Sequence, residues 1–269
     1  MPNEAPNGWK PRTIGAQALG LVEPATKAVV PPLHLATTFV RDPDNQYRAG
    51  YAYGRPDNAT TRHAEAVLAA LEEAHEAALF GSGMAAATAI VLALPAPSHI
   101  VASQVMYWAF RHWLANEAPR LGHRVDFADS TDPAAMSAAI KPGLTKLVYI
   151  ETPGNPLWTV SDIAALADIA HAAGALLAVD STVATPVFTR PLRLGADIVM
   201  HSASKYLSTA IPTSSPASLP PPSPARPGSG SRPCARSSAP SSGPSRRGCC
   251  CAACARSRCG SRPRPRPQC

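Results

Sequence analysis

After Leu207 every hydrophobic period in this chain stops, and that break limits what the chain can fold into. Residues 208–269 hold 13 Pro, 14 Ser and ten Arg, with no Lys, Asp or Glu. Proline removes backbone donors, and the segment offers little apolar area to offset ordering entropy. No long helix or central strand is expected from it. All seven Cys lie there, at positions 234, 249, 250, 251, 254, 259 and 269. The run CCCAAC has no His near it and forms no two clean CxxC pairs, so no metal site is expected. Pro, Arg, Ser, Ala and Cys together are what GC-rich coding sequence yields when read out of frame. A frameshift near codon 208 is the expectation, and the nucleotide sequence tests it.

The same break explains the charge. The 269-residue chain carries a formal +7, but residues 208–269 contribute +10 and the preceding body −3. The basicity belongs to the tail and does not mark the body as a nucleic-acid binder. No run of 18 strongly apolar residues occurs, because Leu79 to Leu94 is interrupted by Gly81, Ser82 and Gly83. A spanning helix, and with it a membrane partner, is not expected. The N-terminal MPNEAPNGWKPRTIG lacks an apolar secretory core. A cytoplasmic protein is expected, with a body that contains no Cys and so no disulfides.

Along the body, residues 1–55 read as an extended arm punctuated by Pro31-Pro32 and DPDN at 42–45. A helix is predicted from Asn58–Thr61 through TRHAEAVLAALEEAHEA, with Ala66, Leu68, Ala69, Leu71 and Ala78 inward. Glu65, Glu72, Glu73 and Glu76 would face water. A Gly-rich turn at 81–83 then feeds a buried helix whose first amides are open, either to a phosphate or simply as a tight turn. Strands are predicted at 99–103, 146–151, 175–180 and 196–202. A helix capped by Ser161 runs between them and stops at Gly174. Short apolar strands alternating with helices predict an α/β fold with a mostly parallel sheet covered on both faces. Ligands of such sheets bind beyond the carboxyl ends of the strands, where Glu151, Asp180 and Ser202 fall.

Several residues near those ends carry chemistry. Lys205, in HSASKYL, is a surface lysine or an amine able to form a Schiff base. Asp180 closes an apolar strand and is either exposed or holding a cation such as a pyridinium nitrogen. Ser202 and Ser204 are phosphate donors or turn residues. Taken in order, the segments YAYGR, GSGMAA, YIETPGNP, LLAVDSTVATP and ADIVMHSASKYL resemble the pyridoxal-phosphate-dependent enzymes of Cys/Met metabolism. These are the trans-sulfuration enzymes: cystathionine gamma-synthase, cystathionine beta- and gamma-lyases, and methionine gamma-lyase. The resemblance covers roughly residues 12–207.

The resemblance implies a fold-type I large domain at 56–207, incomplete, preceded by the arm at 1–55 and followed by the tail at 208–269. The small C-terminal domain of the family is missing. Pyridoxal 5′-phosphate is the implied cofactor. Lys205 resembles the lysine that holds it as a Schiff base and moves protons. Asp180 resembles the partner of the pyridine nitrogen, and Tyr107 the aromatic stacked on the ring. Gly83, Met84, Ser202 and Ser204 match the phosphate donors, and Asn155 the neighbour of the phenolic oxygen. Tyr53 and Arg55 match residues that reach the phosphate of a neighbouring subunit, which implies a homodimer or homotetramer. The substrate implied is a small amino acid, the reaction elimination or replacement at its beta or gamma carbon.

The chain also departs from the family pattern. SQVMYWAFRHW differs from the usual Asp-x-Tyr-Gly-Gly-Thr, which puts Gln104 and Trp108 at issue on the substrate side. Ser181 replaces a common Asn, and Ser204 a common Thr. No tail residue matches the family's carboxylate-binding arginine. The body is expected to expose apolar area where its packing partner is absent. Three alternatives stand beside an active enzyme. One is an inactive frameshifted remnant. Another is a different fold-type I aminotransferase or decarboxylase. The last is a non-enzymatic basic protein, acting through its tail without sequence-specific nucleic-acid recognition.

Overall fold

A computed structural model describes residues 8–207 and the backbone of 251–255. The arm contains one short helix, α1 (Pro11–Gln17), and is otherwise irregular. The first long element is α2 (Ala59–Glu72), where the Asn58 side chain accepts the Thr61 amide at 2.9 Å. This cap satisfies one of the four orphan donors of the first turn.

The helix stops at Glu72, five residues before the Ala/Glu-rich run ends at Ala77. Glu73 adopts the left-handed conformation, φ 56°, and its amide bonds back to Ala69 O. The chain then enters β1 (Glu76–Phe80) rather than continuing as helix. Local propensity favours helix here, and sheet pairing overrides it. Glu72, expected in water, is instead fully buried.

After β1 come α3 (Gly83–Leu92), β2 (His99–Ser103), α4 (Trp108–Asn116) and β3 (Arg124–Ala128). Then follow α5 (Pro133–Ala139), β4 (Thr145–Glu151), α6 (Ile163–Ala172) and β5 (Leu176–Asp180). A four-residue helix α7 (Thr185–Phe188) precedes β6 (Ile198–His201), and β7 (Cys251–Ala255) comes last. The cap of α6 is Asp162, not Ser161: its side chain accepts the Ala165 amide at 3.0 Å. Ser161 instead donates its hydroxyl to Ser130 at 2.9 Å.

The sheet runs β1-β7-β6-β5-β4-β2-β3, with β2 to β6 parallel. Alternating residues feed two cores. Val148, Ile150, Leu177 and Val179 pack toward Met136 of α5 and Leu166 of α6. Leu147, Tyr149, Ala178 and Met200 pack toward Ala86 and Ile90 of α3 and Phe110 and Leu114 of α4. Burial on both faces gives these strands their continuous apolar runs.

The tail corrects one expectation. Residues 251–255 form a strand inside the sheet, antiparallel to both neighbours: Ala253 is paired with Ala78 and with Met200. The strand falls in 245–262, the longest Pro-free stretch of the tail, so every residue there keeps its backbone donor. The other tail Cys lie outside the described residues, and no cluster of metal ligands occurs among the described ones. No helix among the described residues is long and apolar enough to cross a membrane.

Candidate active site

β2 is the switch point of the sheet, flanked by β3 on one side and β4 on the other. A cleft of about 450 Å³ opens at the carboxyl ends of the strands beside it. It is lined by Gly83, Met84, Tyr107, Asn155, Asp180, Ser202, Ser204 and Lys205, all named from the sequence. Tyr53 and Arg55 are not among its lining residues. They lie in the arm, where Tyr53 bridges Thr38 and the Arg55 guanidinium stands 5.4 Å from the Tyr53 ring. Gln104 does not line the cleft, and Trp108 is exposed, its ring 6.1 Å from that of Tyr107.

Each wall has a local cause. Ser82 caps α3 by accepting the Ala85 amide at 3.1 Å, which turns the Gly83 and Met84 amides toward the cleft end of the helix. That end carries positive partial charge and suits an anion. Across from it, the turn after β6 is closed by the Lys205 amide on Ser202 O at 3.0 Å, and the Ser202 and Ser204 hydroxyls lie 3.0 Å apart. Lys205 follows on this turn, exposed and engaged by no salt bridge among the described residues.

Asp180 is buried at the end of β5 and accepts both the Thr182 amide, at 3.0 Å, and the Thr182 hydroxyl, at 2.5 Å. Both bonds fall on Oδ1. Thr182 Oγ1 in turn accepts the Ser202 amide at 2.7 Å, which ties the β5 end to the lysine turn. Burial raises the Asp180 carboxyl above its ordinary value, while Thr182 and His201 act against that rise. A cation beside this carboxyl would restore the ionised form.

The sequence pointed to Glu151 only as a strand end, yet it is central here. Its Oε2 accepts the Tyr107 amide at 2.6 Å and its Oε1 the Asn155 amide at 2.8 Å. It is paired in register with Asp180 across β4 and β5. Burial, and after it Asp180, push Glu151 up to about 7 despite those two amide donors. Tyr149 lies on the floor beside Asp180, and burial first, with the Asp180 carboxylate after it, raises its phenol well above the usual range. Thr182 was signalled by its place two residues after Asp180, the spacing of an Asx turn. Glu72 and His201, paired at 2.5 Å beneath the strand ends, carry no local signal because 129 residues separate them.

The donor set fits one kind of group: an anionic end for the α3 amides and serine hydroxyls, a cationic ring atom for Asp180, and a carbonyl for the Lys205 amine. A cleft so equipped, at the strand ends of an α/β sheet, suits an anionic cofactor that carries a ring nitrogen and a carbonyl.

The comparisons agree. The model of the family "Cys/Met metabolism PLP-dependent enzyme" matches residues 12–210, and the chain belongs to that family. It is 41% identical over 182 residues to the cystathionine gamma-lyase of Bacillus subtilis, covering 68% of this chain and 48% of that protein. It is 45% identical over 159 residues to the O-succinylhomoserine sulfhydrylase of Pseudomonas aeruginosa, covering 59% and 39%. The crystal structure of apo CalE6, a methionine gamma lyase from Micromonospora echinospora, superposes with a TM-score of 0.69 at 38% identity, covering 76% of this chain and 54% of that one. The chain thus spans about half the length of the curated relatives it matches. Pyridoxal 5′-phosphate is the cofactor of the family.

Proposed function

We propose that this chain carries the cofactor-binding part of a pyridoxal-phosphate enzyme of sulfur amino-acid metabolism. Its reaction would be elimination or replacement at the beta or gamma carbon of a cystathionine-like amino acid. The observation that carries this reading is the convergence of Lys205, Asp180 and the α3 N-terminus on one cleft. Bound there, the cofactor would supply an electron sink for charge developing at the substrate alpha carbon.

The chain's own residues would divide the work. Lys205 would hold the cofactor covalently through Nζ and move protons at the substrate carbons. Asp180 would keep the ring nitrogen protonated. Tyr107 would cover the ring, and Asn155 would bond its phenolic oxygen. The Gly83 and Met84 amides with the Ser202 and Ser204 hydroxyls would hold the phosphate. Tyr53 and Arg55 would reach the phosphate site of a second copy, in a homodimer or homotetramer. In this reading 1–55 is an arm, 56–207 the cofactor domain and 208–269 an out-of-frame tail.

One observation favours a second reading, an inactive remnant. No arginine lines the cleft among the described residues, so no partner for a substrate carboxylate is identified. The deciding experiment adds pyridoxal phosphate to the purified chain, reduces it with borohydride and locates the adduct by peptide mass. An adduct on Lys205 that is lost in Lys205→Ala supports the cofactor reading and justifies substrate assays. A folded chain with no specific adduct would leave only the remnant.

A further inference from the structure

We propose that Glu151 is a positioning residue: its two carboxylate oxygens tie the start of α4, with Tyr107, to the turn that bears Asn155, and a cationic ring held by Asp180 tightens this tie. The inference rests on the cofactor reading of the cleft.

The geometry is specific. Tyr107 stands at the N-terminus of α4, which has no side-chain cap of its own. Its amide reaches Glu151 Oε2 at 2.6 Å. Asn155 belongs to a turn closed by the Gly154 amide on Thr159 O at 2.8 Å and the Trp158 amide on Gly154 O at 2.6 Å. A Cβ at Gly154 would stand 2.7 Å from Thr159 Oγ1, so the turn has no spare room. The Asn155 amide reaches the other Glu151 oxygen at 2.8 Å. One carboxylate thereby sets both a ring-covering aromatic and a polar neighbour. Two separate elements, 48 residues apart, are fixed to the end of the same strand.

The tie depends on charge. An ionised carboxylate accepts from both amides. A protonated one carries an O–H on one oxygen and faces one N–H with a donor. The groups around Glu151 decide which form is held. Asp180 on β5 is the charged neighbour in register, and Tyr149 two residues earlier on β4 is neutral. Lys205 lines the same cleft from the turn after β6, while α3 lines it with Gly83, Met84 and Ala87, none of which titrates. Burial first, and the Asp180 carboxyl on the neighbouring strand after it, hold a proton on Glu151 up to about pH 7. A cation held at Asp180 offsets that carboxylate's charge and lowers the pH at which Glu151 ionises. Glu151 then ionises and both amides are held. By linkage the effect is reciprocal: the closed tie favours the cation, and binding releases a proton.

The test uses pyridoxine 5′-phosphate, which keeps the ring nitrogen and phosphate but has no aldehyde, so Lys205 chemistry does not enter. Its Kd is measured from pH 6 to 8 on the parent chain and on Glu151→Gln, with a circular-dichroism melt of each. Gln accepts from only one amide and does not titrate. The parent is expected to bind about tenfold more tightly than the variant at pH 8, the worth of one hydrogen bond to a charged group, with the gap closing by pH 6. Identical Kd profiles in two folded proteins would overturn the proposal. If the variant does not fold, or the parent binds no ligand at any pH, amide exchange on the parent alone decides. Protection of Tyr107 and Asn155 that falls together as pH drops below 7, corrected for intrinsic exchange, supports the tie. Protection that stays constant overturns it. Absent binding speaks against the cofactor reading, whereas constant protection speaks against the tie.

Discussion

Glu72 and His201 show how much one buried pair can decide. Both are fully buried, and Glu72 Oε1 lies 2.5 Å from His201 Nε2. The pair joins the last residue of α2 to the last residue of β6, directly before the turn that carries Lys205. Glu72 Oε2 and His201 Nδ1 have no further hydrogen-bond partner, so the pair is held by its one contact. His201 also favours the ionised form of Asp180. Glu72→Ala would strand a buried imidazole, and a loss of about 3–5 kcal/mol is expected in equilibrium denaturation. Glu72→Gln keeps an acceptor for Nε2–H and should lose distinctly less. Equal losses in the two variants would show that volume, not pairing, is what Glu72 supplies.

Among the elements, β7 carries the most structural consequence. Without it β1 and β6 would each present an open edge, a row of unpaired amides and carbonyls that invites association with other chains. Residues 251–255 pair with both, and the strand is reached only after the chain has left β6 and passed residues 202–250. Ala253→Pro would delete a donor in the middle of this ladder. Proline is confined to edges and bulges in sheets. Hydrogen exchange at residues 76–80 and 198–201 is therefore expected to accelerate in Ala253→Pro, while β2 and β4 stay protected. Unchanged exchange at both flanking strands would show that β7 does not hold them together in solution.

For the whole molecule, the cleft makes stability depend on pH. The folded pKa of Glu151 is raised, so its contribution is fully present below its ordinary pKa and is lost as pH rises through about 7. Asp180 is raised and acts in the same sense. Groups with lowered values act oppositely, Asp126 and His63 among them. Asp126 is lowered, by Lys141 first and His99 after, and its contribution is lost only in acid. His63 is lowered by burial, so its contribution is lost as pH falls through its range. The Tm difference between the parent and Glu151→Gln isolates the first effect: the parent is expected to lose ground to the variant from pH 5 to 8. A difference constant over that range would show that Glu151 does not titrate within it. The surface adds a second trait. Val40, Leu35 and Phe188 are 95%, 87% and 85% exposed, apolar area of the kind that favours association.

The sequence by itself determined the parallel α/β core and part of the membership of the cleft. Apolar runs at 99–103, 146–151 and 176–180 bury on both faces, which is why they needed no partner to be read. Lys205, Asp180 and Tyr107 are legible because the motifs around them resemble those of the family in the same order. Only the tertiary structure decided what depends on residues far apart in the chain. The burial of Glu72 answers to His201, 129 positions on, and the end of α2 answers to the pairing of β1. Glu151 holds Tyr107 and Asn155 because three separate elements meet at one point. The strand at 251–255 lies between β1 and β6 and pairs with both, a condition no local propensity contains. Composition and period act within a few residues of the chain, whereas pairing, burial and charge coupling act through space.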